Sequence, residues 1–522
     1  MTSIALPRVR CCSLGILLGL GLASAGLGAG KPDTWVPARW GGGPLEVAHR
    51  AKDKSLADPA VREVVSRWYE PATLGLLEGT PVNCLLLTFS AGAGPELEKQ
   101  QQQLVKEYAQ KARERGIATL GLVYPGADPS AVAAAAEDAR LDGLVLEGEF
   151  PGGAKFAEEL DKKLRSDNSA AVVIPVATAA LLRKSAWPVL AVEGVSPGVG
   201  KADNTTTSSA SGGAWVDSNM WLARSFRLEA SPRTVWISQR PGAGAPAGIY
   251  GKSIADAAAV GARWIVTLDD ALRAKLLHQD PDAQAVWRSI GNLLSFYEKH
   301  AEWRGFEPFG NVGIILDTAG PNLANSEEYL NLVARHQIPY RVIDRSSLGA
   351  PALDGLLGVL AFDLAPPTEA ERKILESYSN GGGLVLGGPA WGTPPKDQKY
   401  RMAAMDKGEV AVFKDAMPDP ESIPRDLNDL LVTENLGVNV FNAPSVLSYV
   451  STTDNGDRML IQLVNYADAP SGAITIWVAD QFNAAHLYTP DGAPVDIPVK
   501  RTPSRTEISI PKISVCGALL LE

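Results

Sequence analysis

The chain is short of the residues that support several kinds of chemistry. Its 522 residues include only 4 cysteines and 5 histidines, and Cys11 and Cys12 lie at the extreme N-terminus. The histidines are too far apart in sequence to form a local ligand pair, so we predict no metal site built from a local motif. Cys84 and Cys516 each lie in an apolar run, which indicates buried thiols rather than nucleophiles.

The chain also lacks an excess of positive charge. Lys and Arg total 49 against 59 for Asp and Glu, which gives a net charge of -10. An acidic chain without a basic stripe is a poor candidate for sequence-independent nucleic-acid binding. Gly92-Ala93-Gly94 follows an apolar run but lacks the third glycine of a dinucleotide-binding turn. We therefore predict no nucleic-acid partner and no cofactor.

Long apolar runs are scarce, and the one at the N-terminus has the features of an export signal. Arg8 and Arg10 precede the apolar residues 14–23, and Ala23-Ser24-Ala25 supplies small residues at the spacing of a cleavage site. The run is too short to indicate a membrane span, although an uncleaved anchor is the alternative. The sequence predicts a signal peptide over residues 1–25, a bacterial protein exported to the periplasm or secreted, and no stable membrane anchor.

What the sequence does contain, from about residue 81 to 267, is a regular alternation of apolar runs with helical stretches. The predicted strands cover residues 82–89, 117–123, 144–147, 171–176, 189–193, 215–216, 234–238 and 264–268. Near-continuous apolar strands between helices are typical of a parallel sheet that is covered on both faces. Eight such units predict an α/β fold that begins with a (β/α)8 TIM-like barrel over residues 31–304, with an open doubly wound sheet as the alternative.

Two further units follow the predicted barrel. Residues 305–443 repeat the strand–helix alternation in flavodoxin-like order and end in a linker. From residue 444 to 522 the pattern changes to short alternating strands separated by turns, such as Pro490-Asp491-Gly492. This pattern predicts a C-terminal β-sandwich. The Thr-, Ser- and Gly-rich residues 204–213 are predicted to form a loop of the barrel.

Carboxylates dominate the positions where the predicted barrel strands end, which is where barrel proteins carry their functional groups. Glycosidic bond cleavage needs one carboxylic acid and one carboxylate, and it needs no cofactor. The foremost predicted pair is Glu193 and Asp217, which end or follow neighbouring strands. The full set of candidate catalytic residues is Glu193, Asp217, Glu147 and Asp269.

Aromatic rings and polar side chains near the same strand ends are candidates for sugar binding. Tryptophan faces stack on sugar rings because ring C–H groups meet the negative π-face. Arginine can hold a carboxylate or an acidic sugar through two hydrogen bonds. The candidate substrate-binding residues are Trp35, Trp40, Trp215, Asn219, Arg224, Gln239, Arg240, Asp270 and Trp391.

The order of barrel, flavodoxin-like module and small β-sandwich resembles that of family-42 β-galactosidases and related barrel glycosidases. Residues 311–389 resemble their trimerisation domain, which is similar to glutamine amidotransferases, and this likeness implies a homo-oligomer. The run Val359-Leu360-Ala361-Phe362-Asp363 carries no cysteine nucleophile, so amidotransferase activity is not implied. Those enzymes carry their acid/base glutamate after an asparagine. The chain has no Asn-Glu pair, so its catalytic residues are predicted from strand ends alone.

These observations together predict an exported glycoside hydrolase-like protein whose partner is an oligo- or polysaccharide substrate. Two alternatives to this interpretation stay open. The alternative from another class is a non-catalytic carbohydrate-binding protein that kept the barrel and lost its acid. A third hypothesis is a cation-dependent enzyme of sugar acids that uses the acidic strand ends as oxygen ligands.

We expect the mature protein to lack the residues up to about Ala25, because the basic start, apolar run and small-residue site occur in signal-peptide order. Mass spectrometry of the exported protein measures this directly. An exported chain that still carries Met1 would contradict the expectation.

Overall fold

The computed structural model describes residues 31–166, 170–177, 187–202, 205–206, 215–230, 234–242, 244–432, 436–453 and 455–522. The predicted signal peptide and most of the predicted loop at 204–213 lie outside these residues.

A closed parallel barrel forms the first part of the structure. Its strands are β1 (Pro37–Arg39), β2 (Cys84–Ser90), β3 (Ala118–Val123), β4 (Gly143–Leu146), β5 (Val172–Ala177), β6 (Val189–Glu193), β7 (Thr234–Ser238) and β8, which has two halves (Arg263–Trp264 and Val266–Thr267). Neighbouring strands pair in parallel from β1 through to β7. The first half of β8 pairs with β7 and its second half pairs with β1, so the interrupted strand closes the ring.

Both faces of the barrel strands are buried, which explains their near-continuous apolar sequences. In β2, Cys84 and Leu86 join a cluster that includes Ile174, Ala191 and Trp236 and fills the barrel interior. The alternate residues of the same strand point to the surrounding helices. Cys84 and Cys516 are buried free thiols, as predicted.

Thirteen α-helices have bounds within the described residues. They are α1 (Gly43–His49), α2 (Pro59–Arg67), α3 (Pro95–Arg113), α4 (Pro129–Ala139), α5 (Ala154–Ser166), α6 (Met220–Ala230), α7 (Gly248–Ala259), α8 (Asp270–Leu277), α9 (Pro281–Lys299), α10 (Leu323–Arg335), α11 (Ala350–Leu353), α12 (Glu369–Asn380) and α13 (Ile423–Leu431). Helices α2, α4 and α9 share one start signal. An Asp side chain accepts a hydrogen bond from the first turn, and a Pro opens the helix.

The predicted sixth barrel strand is not a barrel strand. Val216–Asp217 pairs antiparallel with Gly198–Val199, in the long connection that follows β6. The eighth position in the ring belongs to β1, whose three residues begin with a proline and show no periodicity to detect. The predicted (β/α)8 class is therefore confirmed, but with a different member at one strand position.

The second sheet has the order of a doubly wound flavodoxin-like domain. Its strands are β9 (Val312–Leu316), β10 (Tyr340–Asp344), β11 (Gly358–Leu360), β12 (Leu384–Gly387), β13 (Tyr400–Ala404) and β14 (Glu409–Phe413), in the spatial order β10-β9-β11-β12-β14-β13. All pairs are parallel except the edge strand β13, which runs antiparallel to β14.

Two antiparallel sheets form the C-terminal β-sandwich. The strands are β15 (Val438–Phe441), β16 (Val446–Thr452), β17 (Met459–Asn465), β18 (Ile474–Val478), β19 (Ala485–Tyr488), β20 (Val495–Asp496), β21 (Val499–Arg501), β22 (Thr506–Ile510) and β23 (Cys516–Leu521). One sheet has the order β16-β17-β23-β19-β20 with Glu307–Pro308 at its edge, and the other has the order β15-β18-β22-β21. Strand β15 begins at Val438, ahead of residue 444, which is the predicted start of the β-sandwich. The exact domain boundaries stay a prediction.

A buried carboxylate joins the barrel to the sandwich. Asp256, on α7, is fully buried and accepts hydrogen bonds from the Ser218 hydroxyl at 2.6 Å and the Tyr466 hydroxyl at 2.5 Å. It also accepts bonds from the backbone and side-chain amides of Asn219, at 2.8 and 2.9 Å. Burial raises the pKa of Asp256, and these donors partly offset that shift. The barrel and sandwich thus share one polar network inside a continuous apolar core.

We expect Tyr466→Phe to lower the free energy of unfolding by about 1–3 kcal/mol, because it removes one donor from a buried carboxylate. Urea unfolding followed by circular dichroism measures the change. Tyr400→Phe, which removes a hydroxyl from the edge strand β13, is the matched control. Equal stability of the two variants would contradict a structural role for the Tyr466 hydroxyl.

Candidate functional site

Charged side chains from several strand ends meet at the carboxyl-terminal mouth of the barrel. Arg39 ends β1, Glu147 follows β4, and Arg240 follows β7. Asp269 and Asp270 follow β8 after one intervening residue, Leu268. This is the end of a TIM-like barrel at which binding and catalytic groups are found.

Helix α1 brings a further carboxylate, Glu46, to the mouth. The helix starts at Gly43, whose φ of +83° suits glycine, and a Cβ there would lie 2.5 Å from the Gln101 side chain. Gln101 is fully buried and donates hydrogen bonds to the carbonyl oxygens of Gly42 at 2.9 Å and Thr88 at 2.7 Å. It also accepts one from the Leu45 amide at 3.1 Å. The close approach at Gly43 and these three bonds fix α1 against the barrel.

Glu46 lies at the floor of the site with only 3% of its surface exposed. The Thr88 hydroxyl donates a hydrogen bond to its carboxylate at 2.6 Å, and the Tyr124 hydroxyl approaches the same oxygen at 3.4 Å. The guanidinium groups of Arg50 and Arg240 lie 3.7 and 4.0 Å from its other oxygen. Four side chains thus fix the position of this buried carboxylate.

Glu147 is held by two arginines. Arg39 donates a hydrogen bond to one carboxylate oxygen, and Arg240 lies 3.5 Å from the other. Burial raises the pKa of Glu147, but the positive charges of Arg39 and Arg240 outweigh burial and hold it below its ordinary value. Glu147 is therefore ionised at neutral pH.

Arg240 links the two glutamates. Its guanidinium lies within 4.0 Å of Glu46 and within 3.5 Å of Glu147. Glycosidases also bring two carboxyl groups together at one place in the active site. The mouth therefore contains a convergent pair of carboxylates, Glu46 and Glu147.

His49 adds a neutral imidazole beside this pair. Its ring stacks on Tyr124 with 3.8 Å between the ring centroids. Burial and the charges of Arg240 and Arg50 lower the pKa of His49, while Glu46 and Glu147 oppose that shift. The net effect leaves the ring uncharged at neutral pH.

The mouth opens into a cavity of about 450 Å³, which we call the mouth cavity. Its walls include Arg39, Glu46, Arg50, Arg240, Asp269, Asp270 and Arg273. Asp270 pairs with Arg50 at 2.7 Å and with Arg273 at 3.2 Å. Asp269 caps α8 through the amides of Ala271 and Leu272, and its other oxygen accepts the Tyr250 hydroxyl at 2.5 Å. Asp269 therefore has a structural role at the rim of the cavity.

Glu147, Arg240, Asp269 and Asp270 are thus the sequence-predicted residues that the structure brings together. Gln239 is half-buried next to Arg240, and Glu193 is exposed at the end of β6, at the same end of the barrel. The role of these residues in catalysis or substrate binding stays a prediction.

Four other candidates lie where the barrel meets the rest of the chain. The Asp217 carboxylate accepts a hydrogen bond from the Trp215 indole at 3.1 Å, and the Arg335 guanidinium stacks 3.5 Å from the Trp215 ring. Arg224 is buried, donates to the Tyr340 carbonyl and stacks on its ring at 3.4 Å. Asn219 is buried and bonds to Val195 and Asp256. The sequence predicts these four side chains at the barrel mouth. They lie at the contact with the rest of the chain instead, because residues 215–216 do not form a barrel strand.

Three predicted sugar-stacking tryptophans have protein against their rings. Trp35 precedes β1 and packs against Trp236 inside the barrel, at the end opposite the mouth. Trp40 is 1% exposed, packs on Trp68 and donates to the Tyr108 hydroxyl. Trp391 packs against the core of the flavodoxin-like sheet. Large rings are usually buried, and a loop-like sequence does not change that tendency.

Sequence reasoning missed Arg39, Glu46, His49, Arg50 and Tyr124. One detectable signal was Glu46 in the run Leu45-Glu46-Val47, a carboxylate on an otherwise apolar helix start. The segment Gly194-Val195-Ser196-Pro197-Gly198 matches the Gly-x-Ser-x-Gly pattern of hydrolases, but it leads into a two-residue strand and Ser196 is exposed. It therefore lacks the strand–turn–helix context of a nucleophile elbow.

The described residues contain no group of three or more His, Cys, Asp or Glu side chains arranged to hold a metal ion. Among the same residues, no helix combines the length and apolar character needed to cross a bilayer.

Comparison with known proteins links this architecture to glycoside hydrolases. The sequence matches no family model and no curated protein. The structure is similar to the α-L-fucosidase isoenzyme 2 of Paenibacillus thiaminolyticus, with a TM-score of 0.57 and 10% identity over 87% of this chain and 96% of that chain. It is also similar to a β-galactosidase from Rahnella sp. R3, with a TM-score of 0.53 and 11% identity over 93% of this chain and 98% of that chain. The predicted resemblance to multi-domain barrel glycoside hydrolases is confirmed at the level of the fold.

Proposed function

We propose that the protein is a glycoside hydrolase that uses Glu147 and Glu46 as its two carboxyl groups. The observation that carries the proposal is their convergence on Arg240 beside the mouth cavity. Glycoside hydrolysis needs two carboxyl groups on either side of the scissile bond. The pair differs from Glu193 and Asp217, because Asp217 is engaged by Trp215 and faces Arg335 on the flavodoxin-like domain.

The environment of Glu147 supports one of the two roles, and the other role is assigned to Glu46 as the remaining carboxyl group of the pair. Glu147 is held ionised by Arg39 and Arg240, which suits a nucleophile or a base that activates water. Glu46 then supplies the second carboxyl group and gives a proton to the leaving oxygen. The bond from the anomeric carbon to that oxygen breaks, and a bond from the anomeric carbon to a water oxygen replaces it. The proton that water loses replaces the one that Glu46 gave up, either directly or, where Glu147 is the base, through Glu147 and solvent.

The mouth cavity suits a small carbohydrate portion. At about 450 Å³ it falls within the usual size range of ligand sites. Its rim presents carboxylates and guanidinium groups, such as Asp270 and Arg50, which bind hydroxyl groups in fixed directions. The two similar structures are named as a fucosidase and a galactosidase, and both names denote enzymes that act on glycosides. We further propose that the protein is exported, on the strength of the N-terminal sequence.

We expect Glu147→Gln and Glu46→Gln each to lower kcat by roughly 10² or more, because each keeps the shape of the side chain but removes its ionisation. Turnover on the best substrate from a glycan panel measures the effect, and circular dichroism checks the fold. Glu149→Gln is the matched control, since Glu149 is exposed in the same loop as Glu147.

The sequence-predicted pair serves as a second arm of the same experiment. If Glu193→Gln and Asp217→Asn abolish turnover while Glu147→Gln leaves it at the wild-type rate, the mouth pair proposed here is wrong. Loss of turnover in the Glu147 and Glu46 variants, with Glu149→Gln active, supports the proposal.

Removing one arginine should move the pH profile in a defined direction. Arg240→Met takes away a positive charge that holds the pKa of Glu147 down, so that pKa rises. Glu147 then takes up a proton at a higher pH, and the acidic limb of kcat/KM moves to higher pH. Arg401→Met, on β13, should leave the limb unchanged. An acidic limb that is the same in wild type and Arg240→Met would show that Glu147 does not control it.

A non-catalytic carbohydrate-binding protein is the second candidate. It is favoured by one observation, which is that both oxygens of Glu147 already face arginines. Such a protein would bind a glycan of the panel without releasing product, and Glu147→Gln would change its affinity rather than any rate.

A further inference from the structure

A second cavity lies where the outer sheet of the sandwich meets the flavodoxin-like domain. We call it the junction cavity, and it has a volume of about 370 Å³. Its lining combines two amide side chains, a hydroxyl, a guanidinium, an indole and a leucine, from Asn311, Leu357, Asn439, Trp477, Ser504 and Arg505. This mixture of apolar surface and a few polar groups is typical of small-molecule sites.

The indole of Trp477 is fixed before any ligand arrives. The Arg505 guanidinium lies over one face of the ring, 3.5 Å from its centroid, and the Phe441 ring lies 4.6 Å away in an edge-on arrangement, so the indole meets a ligand only where it lines the junction cavity. Arg505 is itself held by Glu507, at 3.0 and 2.9 Å, and Glu507 also pairs with Lys500 at 2.7 Å. A platform whose neighbours are already ordered loses little conformational entropy when a ligand binds.

The polar groups around Trp477 match the hydroxyl groups of a sugar. Asn439 lies directly opposite Trp477 on the neighbouring strand, and Asn311 reaches the cavity from the start of β9. Each amide side chain offers both a donor and an acceptor, as a sugar hydroxyl does. Leu357, which is 38% exposed, supplies a second apolar wall. The cavity therefore offers apolar contacts and neutral hydrogen-bonding groups together.

We propose that the junction cavity is a second binding site, separate from the mouth cavity, for a neutral saccharide chain. The ligand class rests on the proposed function, and the site itself rests on the lining described above. A neutral ligand is favoured over an acidic one because the charge of Arg505 is already balanced by Glu507. Such a site would hold a polymeric substrate while one of its ends occupies the barrel mouth.

Native affinity electrophoresis of the full chain tests the proposal. The gels contain soluble β-glucan, galactan or xylan, with polygalacturonate as the acidic comparison. At least one neutral polysaccharide should retard the wild-type chain. Trp477→Ala should weaken that binding about tenfold or more, the scale of losing one central aromatic contact. Asn439→Ala, a milder change on an edge strand, should weaken it in the same direction if Trp477→Ala fails to fold.

Matched variants separate this site from the barrel mouth. Thr475→Ala, on the same strand as Trp477 but outside the cavity lining, should bind as wild type does. Glu147→Gln should keep the retardation even though it loses turnover, and Trp477→Ala should keep turnover of a small chromogenic glycoside. Retardation that needs Trp477 in a chain without any turnover would refute the proposed function alone.

Three results would overturn the inference. They are retardation by no neutral polysaccharide, retardation only by polygalacturonate, and equal retardation of the wild-type, Trp477→Ala and Asn439→Ala chains. Turnover that depends on Glu147 would then still support the proposed hydrolase.

Discussion

Closure of the barrel through β1 and β8 is the constraint on which the candidate site depends. The three residues of β1 are held between β2 and the second half of β8, with Ala38 opposite both Leu85 and Val266. This pairing sets the end of β1 at the mouth and directs the following chain into α1. Arg39 and Glu46 reach the site only because of it. A short strand thus positions Arg39 directly and Glu46 through the helix that follows it.

The charges at the mouth stabilise one another. Taking an ion out of water is costly unless a partner of opposite charge lies close by. Glu46, Glu147, Arg39, Arg50 and Arg240 satisfy this requirement as a set, since each lies near at least one member of opposite sign. Removing Glu147 would leave the buried guanidinium of Arg39 without its partner in this set. Groups fixed in this way form the kind of preorganised electrostatic environment that enzymes use to stabilise developing charge.

None of the described residues of the other two domains lines the mouth cavity. The sandwich packs on α7 of the barrel, and Asp256 bonds to Tyr466 at that contact. The outer sheet of the sandwich meets the flavodoxin-like domain at the junction cavity, where Trp477 lies. The mouth cavity and the junction cavity therefore lie on different parts of one molecule.

The sequence by itself determined the fold class and the order of the three units, because apolar strands and amphipathic helices leave periodic signals within one segment. It also indicated Glu147 and Arg240, which follow apolar strands of four and five residues. Only the tertiary structure decided that Glu46 joins them, since this depends on a three-residue strand and on the return of α1 to the mouth. The tertiary structure also decided that Asp217 lies outside the barrel ring. The sequence alone could not show this, because a two-residue antiparallel pair and a short barrel strand look the same in local sequence.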